Sequence, residues 1–495
     1  MVKAVVGEES RLKLIEDRLS QASVPSQVGL VIGKLSKSLD KGFVFDLIPT
    51  PLNDAGEPAS SLIESGKDDG NKKKGSKSKP QSDSSALVID RDWVSEHARQ
   101  VSRMLLGGMK VIGVYIWVNE SSFKNSTITL CQTVKGVCDA VPFMDTDMDE
   151  RLLIHISYSP RRWTCRNCSL ASNITSSSLR PCDFKMGKVL SSLKEFRCTY
   201  NFDMRLPVFS ENGSSIRKMS EVLRRGLSTH AKELKGAKCL INGRLGIEDE
   251  QYAPDGLHEV EFLLPFMHDK SLEVYRQTEV VGVLVFHGSV CSFAYLNPKE
   301  PMSQALNEIK EDIIMSLQSR LEILCDEADR DSESIIDEDQ EAGRHLSMGK
   351  QIPQLDLQLQ REFSNLSFPR RVFIPWLAGT YICDYILPSE TIEVLKDHCV
   401  ELMSMEAPED DSAILGLESE ALYVTSASKS FWDIAASQLS SESKPDGLIS
   451  KKSKKERSPG TSQLAKLGDL SIVAAFFVLI FSVVVGLALF VFRSQ

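Results

Sequence analysis

Trp93-Val94-Ser95-Glu96-His97-Ala98-Arg99-Gln100-Val101-Ser102-Arg103-Met104-Leu105-Leu106-Gly107-Gly108-Met109-Lys110-Val111-Ile112-Gly113-Val114-Tyr115-Ile116-Trp117-Val118 is the stretch that decides the fold. In its first half Trp93, His97, Val101, Met104 and Leu105 recur at helical spacing and share one face. Gly107-Gly108 stop that helix, and Lys110 to Val118 is a β-branched and aromatic run of the kind that forms a buried strand. Asp92 is the expected N-cap. The residue three further on is Ser95 and the acid comes only at Glu96, so no capping box is present.

Working outward, Ser26 to Leu35 and Gly42 to Ile48 read as paired strands, so the first unit is strand, strand, helix, strand. Between them and the helix, Asn53 to Ser85 is rich in Ser, Gly, Asp and Lys, with too few apolar residues to offset its ordering entropy. It reads as a disordered insertion. Further on, Val260 to Phe266, Glu279 to Phe286 and Val290 to Tyr295 look like strands, the last two flanking His287-Gly288-Ser289 as a hairpin. Pro301 opens a long helix in which Leu306, Ile309, Ile313, Leu317, Leu321 and Leu324 form one apolar face. Nine acids between Asp326 and Glu341 suggest a solvated linker. After it come strands at Arg371 to Pro375 and Thr380 to Leu387 and a helix with Ile392, Leu395, Val400 and Leu402.

The chain has 495 residues, enough for two or three domains. At 42% hydrophobic and 25% charged it has the composition of a mostly folded protein, which excludes a wholly disordered or polytopic membrane chain. A net charge of −10 gives no basic face for a phosphate backbone, so no nucleic-acid partner is expected. Eleven cysteines without framework spacing suit a reducing compartment, and the first residues lack a signal-peptide core. Leu470 to Phe492 is uncharged and long enough to span a bilayer, with lysines and Arg457 upstream. This predicts a tail anchor, its body in the cytosol and Ser437 to Gly468 as a tether. Six sequons, at Asn119, Asn125, Asn167, Asn173, Asn212 and Asn365, should then stay unglycosylated.

Tests for enzyme signatures mostly fail. There is no phosphate-binding glycine loop and no Gly-x-Ser-x-Gly elbow, and His258-Glu259 lacks the second histidine of a zinc protease. Cys165-x-x-Cys168, followed by Cys182 and Cys198, resembles half a zinc ribbon without its second half. A cysteine paired with His155, His230 or His287 would make a hydrolase, and no local sequence selects such a pair.

The Trp93 to Tyr115 text, with Gly29-Leu30-Val31-Ile32-Gly33, Leu240-Ile241-Asn242-Gly243 and the terminal apolar span, resembles the odorant-response-abnormal family. The resemblance implies an α/β (α+β) chain with an MPN-like (Mov34-type) N-terminal domain, a second α+β region and a single C-terminal transmembrane helix at the endoplasmic reticulum. It implies a partnership with the cysteine protease of the ufmylation pathway and a role in maturation or trafficking of membrane-protein clients. Active MPN metalloproteases carry two histidines where this chain has Ile116 and Val118, and apolar side chains cannot hold zinc. The expectation is therefore a non-catalytic adaptor without metal or cofactor, the alternative being a membrane-anchored cysteine-dependent hydrolase of a ubiquitin-like modifier. The expected order is 1–160 MPN-like (53–85 the insertion), 161–325 second α+β region, 326–352 acidic linker, 353–436 C-terminal α+β segment, 437–469 tether and 470–492 anchor. Trp93, Arg99, Arg103 and Met104 are the expected partner contacts, and Leu470 to Phe492 the membrane contact.

Overall fold

The computed structural model describes residues 2–64, 85–141, 150–170, 178–211, 215–216, 219–245, 256–264, 280–341, 369–387, 390–408 and 410–418. Its first unit opens with two elements not anticipated from the sequence, β1 (Ala4–Glu8) and helix α1 (Glu9–Ala22). There follow β2 (Gln27–Ser36), β3 (Lys41–Pro49), a hairpin of β4 (Ser60–Glu64) and β5 (Ser85–Ile89), α2 (Arg91–Met104) and β6 (Lys110–Trp117). Short α3 (Glu120–Asn125), α4 (Thr127–Ala140), β7 (Glu150–Tyr158), β8 (Arg161–Ser169) and β9 (Leu179–Gly187) complete it. The expected pair of strands and the helix-to-strand unit are all present.

Seven strands close into a barrel in the order β1-β3-β2-β6-β7-β8-β9, with β9 returning to β1. Because strand side chains alternate, this sheet has two apolar faces. On one, Val31, Val44, Ile112 and Ile154 meet Leu12, Ile15 and Leu19 of α1. On the other, Leu30, Phe45, Val114 and Ile116 meet Val94, Ala98 and Val101 of α2 and Leu130 and Val134 of α4. Two expectations are corrected here. The boundary at residue 160 falls at a strand-to-strand turn, and β8 and β9 carry the sheet on to Gly187. Within 53–85, residues 60–64 and Ser85 lie in the β4–β5 hairpin; 65–84 lie outside the described residues.

The second sheet is built on β10 (Lys194–Glu211). It pairs with β11 (Ser215–Ile216) near its end, while helix α5 (Met219–Lys235), β12 (Lys238–Ile241), β13 (Arg244–Leu245) and β14 (Leu257–Leu263) follow in the chain. Beside β10 on the other edge runs β15 (Val280–Leu296), antiparallel from Lys194 opposite Leu296 to Phe209 opposite Val280. The expected hairpin at His287-Gly288-Ser289 is therefore the middle of one strand. Gly288 is there for space: it faces Phe202, whose ring lies 3.0 Å from where a Cβ would stand. His258-Glu259 lies in β14, which begins at Leu257, three residues before the expected start at Val260.

Helix α6 (Met302–Glu341) presents Leu306, Ile309, Ile313, Leu317 and Leu321 to this sheet. Its backbone continues through Asp326 to Glu341, so the acidic run is helix rather than linker as far as Glu341. A block of acids loses little by being helical when the turns before it are anchored by packing. Last come β16 (Arg370–Pro375), β17 (Tyr381–Ile386) and α7 (Ile392–Met403). These share the core of α2: Phe373, Ile382, Cys399 and Met403 pack with Ala98 and Val101. The C-terminal segment is thus a layer of the first unit, not a separate body. β15 joins the two cores, with Val290, Ala294 and Leu296 in one and Cys291, Phe293 and Tyr295 in the other. Among the described residues no helix is long and apolar enough to cross a membrane, and the expected tether and the span from Leu470 to Phe492 lie outside them.

Candidate functional site

The α2–β6 unit places the sequence-predicted residues. The cap is Asp90, not Asp92: its Oδ1 accepts the Trp93 N–H at 3.1 Å. The helix starts one residue before Asp92, which becomes a first-turn acid instead. Trp93 is half-buried and its Nε1–H donates to Pro51 O at 2.9 Å. Arg99 pairs with Glu96, both more than a third exposed, so this pair faces solvent. Arg103, four residues on, reaches Glu322 of α6 at 2.7 Å. Met104 is 2% exposed and lies in the core with Val101, so its placement among partner contacts is corrected. Of the four, Arg99 and the outer edge of Trp93 remain as surface.

Ile116 and Val118, which the sequence resemblance sets against two expected histidines, are fully buried among apolar neighbours. The histidine beside them, His155, pairs in register with Ile116 and stacks on Phe123 at 4.0 Å. Burial pushes its pKa down, so the ring is neutral, with its Nε2 3.0 Å from Val118 O as donor. Among the described residues no group of three or more His, Cys, Asp or Glu is placed to hold a metal. Cys165 and Cys168 sit three apart on β8, and strand alternation sends them to opposite cores, Cys165 beside α1 and Cys168 beside α4. They cannot share an ion.

The cysteine-hydrolase alternative needs a thiol beside an imidazole. The described hydrogen bonds of His97, His155, His230, His258 and His398 go to Leu402 O, Val118 O, Tyr200, Asn242 and Asp384. Burial pushes the Cys291, Cys383 and Cys399 thiols up to about 12, which removes their nucleophilic form at neutral pH. The side chain of His287 lies outside the described residues.

What the sequence did not disclose is the second face of α6. Glu308, Asp312, Ser316 and Arg320 recur every four residues and all are buried. Lys34 of β2 sits between Glu308 and Glu300 at 2.6 and 3.1 Å. Asp312 holds Arg371 of β16 at 2.8 Å, and Ser316 Oγ accepts from Arg320 Nε. Arg320 grips both oxygens of Glu418, which also accept the Cys291 and Arg371 backbone N–H groups at 2.9 and 2.8 Å. One helix stripe therefore fastens the barrel, the central strand β15 and the C-terminal hairpin. The signal was present as a four-residue polar spacing, but charged residues opposite a leucine stripe normally mark solvent.

Beside this stripe a cleft of about 50 Å³ is lined by Lys34, Gly108, Lys110, Arg151, Glu308 and Glu311. It has room for a few waters. These features define a mixed α/β protein in which the buried ionic groups bind its own elements to one another.

The chain belongs to the odorant response abnormal 4-like family, whose sequence model matches residues 29–414. It is 27% identical to human protein odr-4 homolog over 341 residues, 64% of this chain and 69% of that one. The Xenopus laevis homolog is 24% identical with 96% and 97% covered, and that of Dictyostelium discoideum 24% identical with 80% and 78% covered. Among solved structures, UfSP from C. elegans superposes with a TM-score of 0.38 at 8% identity. That match covers 85% of this chain and 61% of the other, so the chain spans about three fifths of that protein, and a likeness of this size carries no argument.

Proposed function

We propose that this chain is a non-catalytic adaptor that localises a ufmylation-pathway cysteine protease at the endoplasmic reticulum membrane and assists the maturation of membrane-protein clients. The observation that carries the non-catalytic reading is the burial of Ile116 and Val118 at the strand where an active relative would ligate zinc. Without imidazoles at these two positions the strand offers no zinc site to activate a water. We read the closed sheet as the MPN-like domain, and the span from Leu470 to Phe492 as the anchor that leaves the body in the cytosol. The partner and the compartment are taken from the resemblance read in the sequence. Burying an exposed face against a second fold is what remains for such a scaffold to do.

The exposed side of α2, with Arg99 and the rim of Trp93, is the proposed contact. Affinity purification of the full chain from mild detergent should recover the protease, and Arg99→Glu should weaken recovery about tenfold or more while leaving thermal unfolding unchanged, since a surface charge reversal need not unfold the fold. Recovery equal to wild type would remove α2 from the interface. Absence of the protease from the wild-type eluate would remove the adaptor reading itself.

A further inference from the structure

We propose that Cys165 and Cys182 form a reversible disulfide, with Cys182 the entry point for a low-molecular-weight disulfide such as oxidised glutathione. Cys165 on β8 stands directly opposite Cys182 on β9 in an antiparallel pair. Opposed residues in such a pair have Cα atoms about 4.5–5.5 Å apart. Disulfides bridge Cα separations of about 4.4–6.8 Å, so the backbone need not move to join them. The two thiols lie near enough to perturb each other's ionisation, and neither is bridged.

Their surroundings divide the work. Cys165 is 3% exposed, whereas Cys182 is partly open to solvent. The Cys165 thiol beside it holds the Cys182 thiol, which donates to Val2 O at 3.7 Å, below its ordinary range, against burial and the nearby Asp183 and Glu150 carboxylates, while Cys165 is held well above. The reachable sulfur is thus the better thiolate. Its attack on glutathione disulfide forms a Cys182–glutathione bond and releases one glutathione thiolate. Cys165 then gives its proton to solvent, and its thiolate attacks Cys182 Sγ, forming the protein disulfide and releasing the second glutathione thiolate. Two protein thiols are oxidised, one small disulfide is reduced, and the two protons end on glutathione.

A second pair supplies an internal comparison. Cys131 of α4 and Cys168 of β8 also perturb each other's ionisation, yet both are fully buried. Contact is the same and access is not, so this pair should stay reduced in the folded chain. The new bond would fasten β8 to the strand that closes the barrel on β1.

The test incubates the purified full chain in detergent with oxidised glutathione, blocks remaining thiols with N-ethylmaleimide, and maps unreduced peptides by mass spectrometry. The expected main product links Cys165 to Cys182, reverts with dithiothreitol and persists in Cys131→Ala. Cys165→Ala should instead accumulate glutathione on Cys182, and Cys182→Ala should give neither product. A brief N-ethylmaleimide pulse on the wild type, which needs no variant to fold, should label Cys182 before Cys165. The proposal is overturned if glutathione remains on Cys182 in the wild type, if Cys131–Cys168 or any other pair forms first, or if Cys182 is not labelled ahead of Cys165.

Discussion

His97 shows how much one side chain in α2 can carry. It is 2% exposed, its Nε2 lies 2.8 Å from Leu402 O after α7, and burial lowers its pKa to about 4. A depressed histidine pKa means the unfolded chain binds the proton more tightly, so the stabilisation is complete above pH 6.5 and is lost as pH falls toward about 4. The shift corresponds to about 3 kcal/mol. Urea melts of the wild type should lose stability across that window, and His97→Gln, less stable at pH 7, should show a flatter acid limb; parallel limbs would contradict the assignment. Lys34 gives the opposite sign. One ammonium faces two buried carboxylates, and desolvation raises the pKa of Glu308 despite Lys34 beside it. The folded chain therefore holds a proton there that the unfolded chain releases near 4.5, and stability falls as pH rises through the raised value. Glu308→Gln should remove that decline. Lys34→Met should cost about 3–5 kcal/mol, because it strands two buried acids.

At the scale of elements, α6 is the piece on which the account leans. Its apolar face was legible, since Leu306 to Leu324 repeat at helical spacing and all six are buried. Its polar face was not, because Asp312 and Arg320 differ from solvent-facing residues only through partners over 50 residues away, Arg371 and Glu418. Glu418→Ala should cost about 3–5 kcal/mol by leaving Arg320 buried and unpaired, and the double variant Glu418→Ala with Arg320→Met should recover part of it. A Glu418→Ala chain as stable as wild type would show that the grip is absent. The Gly107-Gly108 turn was legible as a helix stop, and the structure adds a steric reason. Gly107 has φ +66°, and a Cβ there would fall 2.3 Å from the Tyr295 ring of β15. Gly107→Ala should thus destabilise by about 1–3 kcal/mol in thermal melts, from left-handed strain and overpacking together. A change within experimental error would mean the turn can relax.

For the whole molecule, local periodicity located β2, β3, α2, β6 and α6 but not β7 to β13 or α3 to α5, and it failed where topology decides. The expected boundary at residue 160 fell at a turn between β7 and β8, whereas closure through β9 and β1 joins residues some 180 positions apart, a pairing no local window contains. Likewise β16, β17 and α7 read as a separate segment because the acidic stretch 326–352 intervenes, yet Phe373 stands edge-on to Phe293 at 5.2 Å in the common core. For the candidate site, the apolar character of Ile116 and Val118 could be read directly, while the inward position of Met104 needed the packing. The central claim is that this chain holds a ufmylation protease at the endoplasmic reticulum through a C-terminal anchor. The most direct measurement is the distribution of that protease between membrane and cytosolic fractions in cells lacking the chain, re-supplied with either the full chain or one ending at residue 469. The account predicts a protease that moves to the cytosol on loss and returns to membranes with the full chain only. A protease that stays on membranes when the chain is absent would contradict it.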